Sequence, residues 1–282
     1  MTGVSTRRPR RAAPPGACDT HMHIFGPANR YPCIDEADYV PADAPMDAYL
    51  AMRATLGMAR TVVIQPSVYG RNHACTADAV ARLGESGRGV AVLDESASEG
   101  DIERLHRTGF RGTRFNLVNS GGVAASALEA MAARVAEFGW HVQVMARGAD
   151  LPALAPRLAR LPAEVVIDHM GRMDAAAGTN QPGFRALLGL VAGGRCWVKV
   201  SGAYRVDLSG PPWPAARPFA EALIAAAPER MLWATDWPHP DLGASPLPDD
   251  GELFDALLDW VPDERTLGRI LVDNPARLYG FG

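Results

Sequence analysis

The chain has 282 residues, a length that excludes a small disulfide-stapled module and suits one large α/β barrel or two ordinary domains. Its net charge of -4 gives no general attraction to nucleic acid or to an anionic membrane surface, so neither is expected as a partner. The sequence also has no run of about 18 apolar residues, the length that a membrane-spanning helix needs.

The amino-terminal segment and the cysteines predict a cytoplasmic protein. The basic run at residues 7–11 is followed by alanine, proline and glycine instead of the apolar core of a signal peptide. We therefore expect residues 1–15 to form a flexible basic arm. The cysteines include no Cys-X-X-Cys pair, which argues against a zinc ribbon or a redox motif and predicts reduced thiols. They are Cys18, Cys33, Cys75 and Cys196.

Beyond the arm, short runs rich in Val, Ile and Leu alternate with amphipathic segments of helical period, a pattern typical of stacked βα units. The predicted strands are residues 16–21, 61–65, 89–94, 112–116, 140–145, 164–169, 196–201 and 231–236. The predicted helices are residues 46–59, 76–85, 100–108, 124–138, 151–161, 184–191, 215–226, 251–260 and 264–279. Eight such units close into a (β/α)8 TIM barrel of about 250 residues, so a single domain over residues 16–282 is predicted.

Polar side chains gather at the predicted carboxyl ends of the strands, where barrels of this kind build their active sites. His21 and His23 end the first strand one residue apart, so both imidazoles point to the same side. His169 ends the sixth strand and Asp236 ends the eighth, which barrel closure brings beside the first. These four side chains could hold a divalent ion such as zinc. They could equally form a metal-free set in which the histidines polarise a carbonyl group and the aspartate takes a proton from water.

Three arginines at the same predicted rim indicate an anionic substrate. Arg114, Arg172 and Arg205 all lie at strand ends or just beyond them, and guanidinium groups suit carboxylates. One such arginine alone would be interpreted as a surface ion pair. Three at one rim favour carboxylate recognition.

Several motifs resemble one known family over nearly the whole chain after the arm. His-X-His after the first strand, Asp-His-Met-Gly-Arg after the sixth and Thr-Asp-Trp-Pro-His after the eighth resemble the amidohydrolase superfamily. Gln-Pro-Ser-Val-Tyr-Gly, Arg-Phe-Asn and Ser-Gly-Pro-Pro resemble its branch of 2-pyrone-4,6-dicarboxylate lactonase, sugar-acid lactonases and galactarolactone isomerase. Loop position and this resemblance add Ser67, Asn72 and His239 as candidate substrate contacts.

The resemblance implies a lactone hydrolase that works without a metal ion. Many members of the superfamily bridge two metals with a carboxylated lysine or a glutamate from the fourth strand, where this chain has Arg114. Gln143 stands on the fifth strand in place of a metal-binding histidine, which leaves at most a mononuclear site. The pyrone lactonase group uses no metal, so Asp236 is expected to be the general base while the three histidines polarise the lactone carbonyl.

Two departures from the pyrone lactonase pattern bear on the substrate. The chain lacks a further arginine shortly after Arg-Phe-Asn and has Met145 near the place of an expected tyrosine. These differences weaken the expectation of the pyrone dicarboxylate itself and leave room for another carboxylated lactone, including a sugar-acid lactone. The alternatives are a lactone isomerase, a mononuclear zinc hydrolase or decarboxylase with His21, His23, His169 and Asp236 as ligands, and a non-catalytic carboxylate-binding barrel. No oligomeric state is predicted.

Overall fold

Eight parallel strands form one sheet in chain order, as predicted for a (β/α)8 barrel. The computed structural model of the chain describes residues 6–243 and 245–282. The strands are β1 (Cys18–Met22), β2 (Arg60–Ile64), β3 (Gly87–Ala91), β4 (Phe110–Asn116), β5 (His141–Met145), β6 (Val165–Ile167), β7 (Cys196–Lys199) and β8 (Met231–Leu232). The Val and Ile side chains of these strands are buried, which explains why short apolar runs predicted the strands.

The helices that follow the strands cover the outside of the barrel. They are α1 (Met46–Leu56), α2 (Ala74–Leu83), α3 (Glu99–Arg107), α4 (Leu128–Ala136), α5 (Leu151–Leu158), α6 (Pro182–Ala192), α7 (Ala203–Val206), α8 (Arg217–Ala226), α9 (Asp250–Trp260), α10 (Glu264–Gly268) and α11 (Asn274–Tyr279). A π-helical turn over Arg269–Asp273 divides the single helix predicted at 264–279. In the described part of the chain, every helix is too short or too polar to cross a membrane.

The seam between β1 and β8 closes the barrel through separate hydrogen bonds instead of a long ladder. The Asp236 amide donates to the His21 carbonyl at 2.9 Å, and the His23 amide donates to the Trp237 carbonyl at 2.8 Å. The strand predicted at 231–236 is shorter in the structure, where β8 ends at Leu232. Asp236 has a positive φ of 64°, which extended backbone cannot adopt. Its side chain is thereby directed into the mouth of the barrel.

A buried aspartate strengthens the seam, and the basic segment near the amino terminus lies on the outside of the barrel. Asp19 of β1 accepts hydrogen bonds from both the amide and the hydroxyl of Thr235, so a buried carboxylate holds the two ends of the sheet together. The basic segment lies against the carboxyl-terminal helices, where Arg7 and Arg10 pair with Asp255. The first five residues of the predicted flexible arm are outside the described residues.

Candidate active site

The three predicted histidines and Asp236 meet at the carboxyl ends of β1, β6 and β8. The Nε2 atoms of His21 and His23 are 3.2 Å apart. Asp236 Oδ1 lies 3.6 Å from the first of these atoms and 3.7 Å from the second, and Asp236 Oδ2 lies 3.5 Å from His169 Nε2. All four side chains are buried. The sequence therefore identified a real cluster.

The two oxygens of Asp236 have different surroundings. Oδ2 accepts hydrogen bonds from the Tyr204 hydroxyl at 2.6 Å and from Arg205 Nε at 2.8 Å. Oδ1 accepts no hydrogen bond from the described residues and lies beside the cavity at the barrel mouth. Burial would raise the pKa of Asp236, but the neighbouring His169 and Arg205 hold it well below its ordinary value. This carboxylate is ionised and keeps one oxygen available.

Hydrogen bonds assign the protons on two of the imidazoles. His23 Nδ1 lies 2.8 Å from the Ile64 carbonyl oxygen, which can only accept, so Nδ1 carries the proton and Nε2 has a lone pair. His169 Nε2 faces the Asp236 carboxylate and therefore carries its proton, while the Ser201 hydroxyl lies 3.1 Å from Nδ1 and donates to it. Burial lowers the pKa of His169 to about 4, so this ring is neutral at pH 7.

A buried lysine lies directly behind the histidines. Lys199 Nζ is 3.1 Å from His21 Nδ1, 2.9 Å from Gln143 Oε1 and 3.3 Å from Asp168 Oδ1. Burial lowers the pKa of Lys199 to about 8, and Asp168 opposes that effect. Gln143 also donates through Nε2 to Asp168 Oδ2. Lys199, Asp168 and Gln143 therefore form one connected buried group.

The cavity in front of this cluster contains a cation without a strong partner. Arg114 is 3% exposed, yet its hydrogen bonds are weak. Its Nη1 lies 3.4 Å from the Gln65 carbonyl oxygen, which is long for a hydrogen bond, and its Nη2 contacts the Met145 thioether. Its Nε makes no hydrogen bond with the described residues and lies 3.6 Å from the Asp168 carboxylate. A buried guanidinium with such weak partners is suited to an anion that arrives from the cavity.

The wall of the cavity includes only some of the predicted residues. His23, Ser67, Arg114, His169, Arg205 and Asp236 line it. His21 is fully buried and is not part of the wall. Asn116, Tyr39 and Asp241 also line the cavity, and Asn116 donates to the Ser67 hydroxyl at 2.6 Å.

The other predicted contacts lie away from the wall. The Asn72 side chain is exposed and accepts a hydrogen bond from the Ala74 amide at the start of α2. His239 lies behind Tyr204, with Nδ1 3.3 Å from its hydroxyl. Arg172 is partly buried, and its Nη1 makes no hydrogen bond with the described residues. None of these three residues lines the cavity.

Sequence reasoning missed Lys199 and Tyr204. Tyr204 and Arg205 both lie on α7, a four-residue helix too short to produce a helical period in the sequence. Lys199 occupies a strand position that pattern reading assigns to the core. One signal was available, because Lys199 is the only lysine in the whole sequence and it falls within a predicted strand.

The family model described as Amidohydrolase matches residues 18–281 of this chain. The protein belongs to the amidohydrolase family. A 2-pyrone-4,6-dicarboxylate hydrolase of Comamonas testosteroni is 38% identical over 96% of this chain and 92% of that protein. A D-galactarolactone isomerase of Agrobacterium fabrum is 33% identical over 98% of this chain and 95% of that protein. Among solved structures, an apo protein of Agrobacterium tumefaciens has a TM-score of 0.88 at 33% identity, over 97% of this chain and 99% of that chain.

His21, His23 and Asp236 offer a possible set of ligands for a metal ion. Neighbouring ligands of tetrahedral zinc are about 3.3 Å apart, as follows from bond lengths of about 2.0–2.1 Å. The separations of 3.2–3.7 Å among His21 Nε2, His23 Nε2 and Asp236 Oδ1 suit that spacing. One hydrogen bond does not suit it, because Lys199 donates to His21 Nδ1 and so leaves the ring proton on Nε2. The donor set therefore has the spacing of a metal site but not its protonation.

Proposed function

We propose that this amidohydrolase opens a carboxylate-bearing lactone by attack of water, without a metal ion, in the cytoplasm. The observation that carries the proposal is the pairing of one available carboxylate oxygen, Asp236 Oδ1, with one poorly partnered buried cation, Arg114, at the same cavity. The first provides a base, and the second provides a place for a substrate carboxylate.

In the proposed reaction, Asp236 Oδ1 takes a proton from water while the water oxygen attacks the lactone carbonyl carbon. The ring C–O bond then breaks, the proton passes from Asp236 to the departing ring oxygen, and an open-chain hydroxy acid results. His23 Nε2 lies 3.7 Å from Oδ1, so this imidazole forms one side of the proposed water position.

The proposed donors to the carbonyl oxygen differ from the initial expectation that all three histidines polarise it. His23 has its only ring proton committed to Ile64, and His21 is not at the wall. Two donors beside Asp236 at the wall are His169 Nε2–H and the Arg205 guanidinium, whose Nη1 has no partner among the described residues. Negative charge that develops on the carbonyl oxygen is stabilised there.

Asp236→Asn removes the base while it preserves the shape of the side chain. We expect kcat for lactone hydrolysis to fall by about 100- to 10,000-fold, the usual contribution of general acid–base catalysis. Asp255→Asn is the matched control, since Asp255 lies on α9 and pairs with Arg7 and Arg10 away from the cavity. Full activity of Asp236→Asn, with normal thermal unfolding, would contradict the assigned base.

The substrate test uses 2-pyrone-4,6-dicarboxylate and a panel of sugar-acid lactones, assayed by proton release with and without a chelator. The resemblance to the galactarolactone isomerase makes isomerisation the second candidate, and water labelled with oxygen-18 separates the two. Hydrolysis adds one labelled oxygen to the product, whereas isomerisation adds none. Loss of activity in chelator, with recovery on addition of zinc, would contradict the metal-free proposal.

A further inference from the structure

We propose that Lys199 keeps the proton of His21 on Nε2 and thereby prevents His21 from binding a metal ion. The inference deepens the metal-free mechanism proposed above, because it assigns that property to one positioning residue. It concerns the side of His21 that faces away from the cavity.

The surroundings of Lys199 Nζ require an ammonium group. Its three neighbours are the oxygens of Gln143 and Asp168 and the Nδ1 atom of His21, all within 3.3 Å. Gln143 presents its oxygen because its amide nitrogen already donates to Asp168 Oδ2. Two hydrogen-bond acceptors, together with a carboxylate at ion-pair distance, suit a charged lysine side chain, which can only donate.

Two groups compete for His21 Nδ1, and they would leave the ring proton in opposite places. Asp168 Oδ1 lies 3.2 Å away and would require a proton on Nδ1, but it makes no hydrogen bond in the described part of the chain. Lys199 lies 3.1 Å away with hydrogen-bond geometry and donates. His21 Nδ1 is therefore an acceptor, and the neutral ring carries its proton on Nε2.

The contact that His21 Nε2 makes agrees with this position of the proton. His21 Nε2 is 3.2 Å from His23 Nε2, and His23 has a lone pair there because its proton is donated to Ile64. A proton on His21 Nε2 satisfies that contact, whereas two lone pairs would repel each other. A metal ion would need both lone pairs free at this point.

Removal of the ammonium group should reverse the tautomer. In Lys199→Met, the nearest acceptor for His21 Nδ1–H is Asp168 Oδ1, and a carboxylate behind a histidine is the usual arrangement for a metal ligand. His21 Nε2 would then join His23 Nε2 and Asp236 Oδ1 as a third donor atom. The variant should gain a zinc site that the natural protein does not use.

Zinc affinity is measured by competition with a chromophoric chelator, and cobalt is added to give a visible absorption spectrum of the bound ion. We expect Lys199→Met to bind zinc about 10- to 100-fold more tightly than the unaltered protein, the range over which such partners change metal affinity. Arg114→Met is the matched control, because Arg114 is also a buried cation near Asp168 but does not touch His21. An equal gain in Arg114→Met would show that charge alone excludes the metal and would overturn the tautomer argument.

The unaltered protein provides a second measurement that does not depend on folding of the variant. Long-range proton–nitrogen spectra of protein labelled with 15N-histidine distinguish protonated from unprotonated ring nitrogens. The signals that disappear in His21→Asn identify the His21 ring among the seven histidines. We expect the His21 proton on Nε2; a proton on Nδ1 would overturn the inference. Neither measurement uses a lactone, so each can fail while lactone hydrolysis succeeds.

Discussion

At Asp236, the two oxygens of a single carboxylate have separate tasks. Tyr204 and Arg205 fix Oδ2, which sets the plane of the group, and the backbone at φ 64° directs Oδ1 to the cavity. The neighbouring imidazoles are likewise distinguished by what lies behind them: a carbonyl group behind His23 and a hydroxyl group behind His169. The chemistry of each residue follows from its rear partner as much as from its type.

The low pKa of His169 predicts that activity stays constant over a wide pH range below neutrality. Burial disfavours the charged ring, so the proton is gained only near pH 4 instead of near the ordinary value of about 6.5. A charged His169 would weaken Asp236 as a base, so kcat/KM should stay level from pH 7 to 5 and decline as pH approaches 4. Circular dichroism at each pH controls for unfolding, and an apparent pKa near 6.5 in the profile would contradict the assignment.

At the scale of elements, the shortest helix has a large part in placing Asp236. α7 spans Ala203–Val206, yet it supplies both groups that fix Asp236. It begins directly after Gly202, whose φ of 65° turns the chain out of β7 and past His169. A side chain at Gly202 would place its Cβ 2.9 Å from His169 Cβ, closer than carbon atoms approach. This turn therefore sets the position of His169.

Gly202→Ala should displace His169 and lower kcat more than it changes KM. We also expect a loss of about 1–2 kcal/mol in unfolding free energy from the left-handed backbone conformation. Gly280→Ala is the matched control: its φ of 63° and ψ of 46° are also left-handed, but the added Cβ would meet only Arg111 Nε, at 3.8 Å. If the two variants lose the same stability and both keep full activity, the turn does not position His169.

At the scale of the whole molecule, the barrel is closed by a few side chains at its seam. β8 has only two residues in the ladder, and Asp19 and Thr235 connect β1 to the segment beyond β8. The same segment carries Asp236, so closure of the barrel and placement of the proposed base depend on one set of hydrogen bonds. Stability and activity should therefore be coupled here.

Thr235→Val tests that coupling by removing the bond to Asp19 Oδ2 at 2.7 Å and the one that Thr235 Oγ1 accepts from the Trp237 amide. We expect a loss of about 1–3 kcal/mol in a urea unfolding titration, because buried partners are left unpaired, together with a reduced kcat. Thr113→Val is the control, since the buried hydroxyl of Thr113 has no hydrogen-bond partner in the described chain. Equal stability of the two variants would contradict the proposed role of the seam.

The sequence predicted the features that depend on the type of residue at a given position. Apolar runs predicted all eight strands, and polar residues at their ends predicted the cluster of His21, His23, His169 and Asp236. The sequence did not reveal how these groups are partnered, because the carbonyl behind His23 and the lysine behind His21 come from other strands. Asn72 is outside the cavity wall for a different, local reason: its side chain accepts a hydrogen bond from the backbone at the start of α2.

The single buried lysine also has a consequence for proteolysis. A protease that cleaves only after lysine finds one cleavage point in the chain, between residues 199 and 200. Lys199 is fully buried at the centre of the barrel, so the protease can reach it only after the sheet opens. Appearance of fragments 1–199 and 200–282 would therefore measure the opening of the barrel itself, free of background from loops and termini.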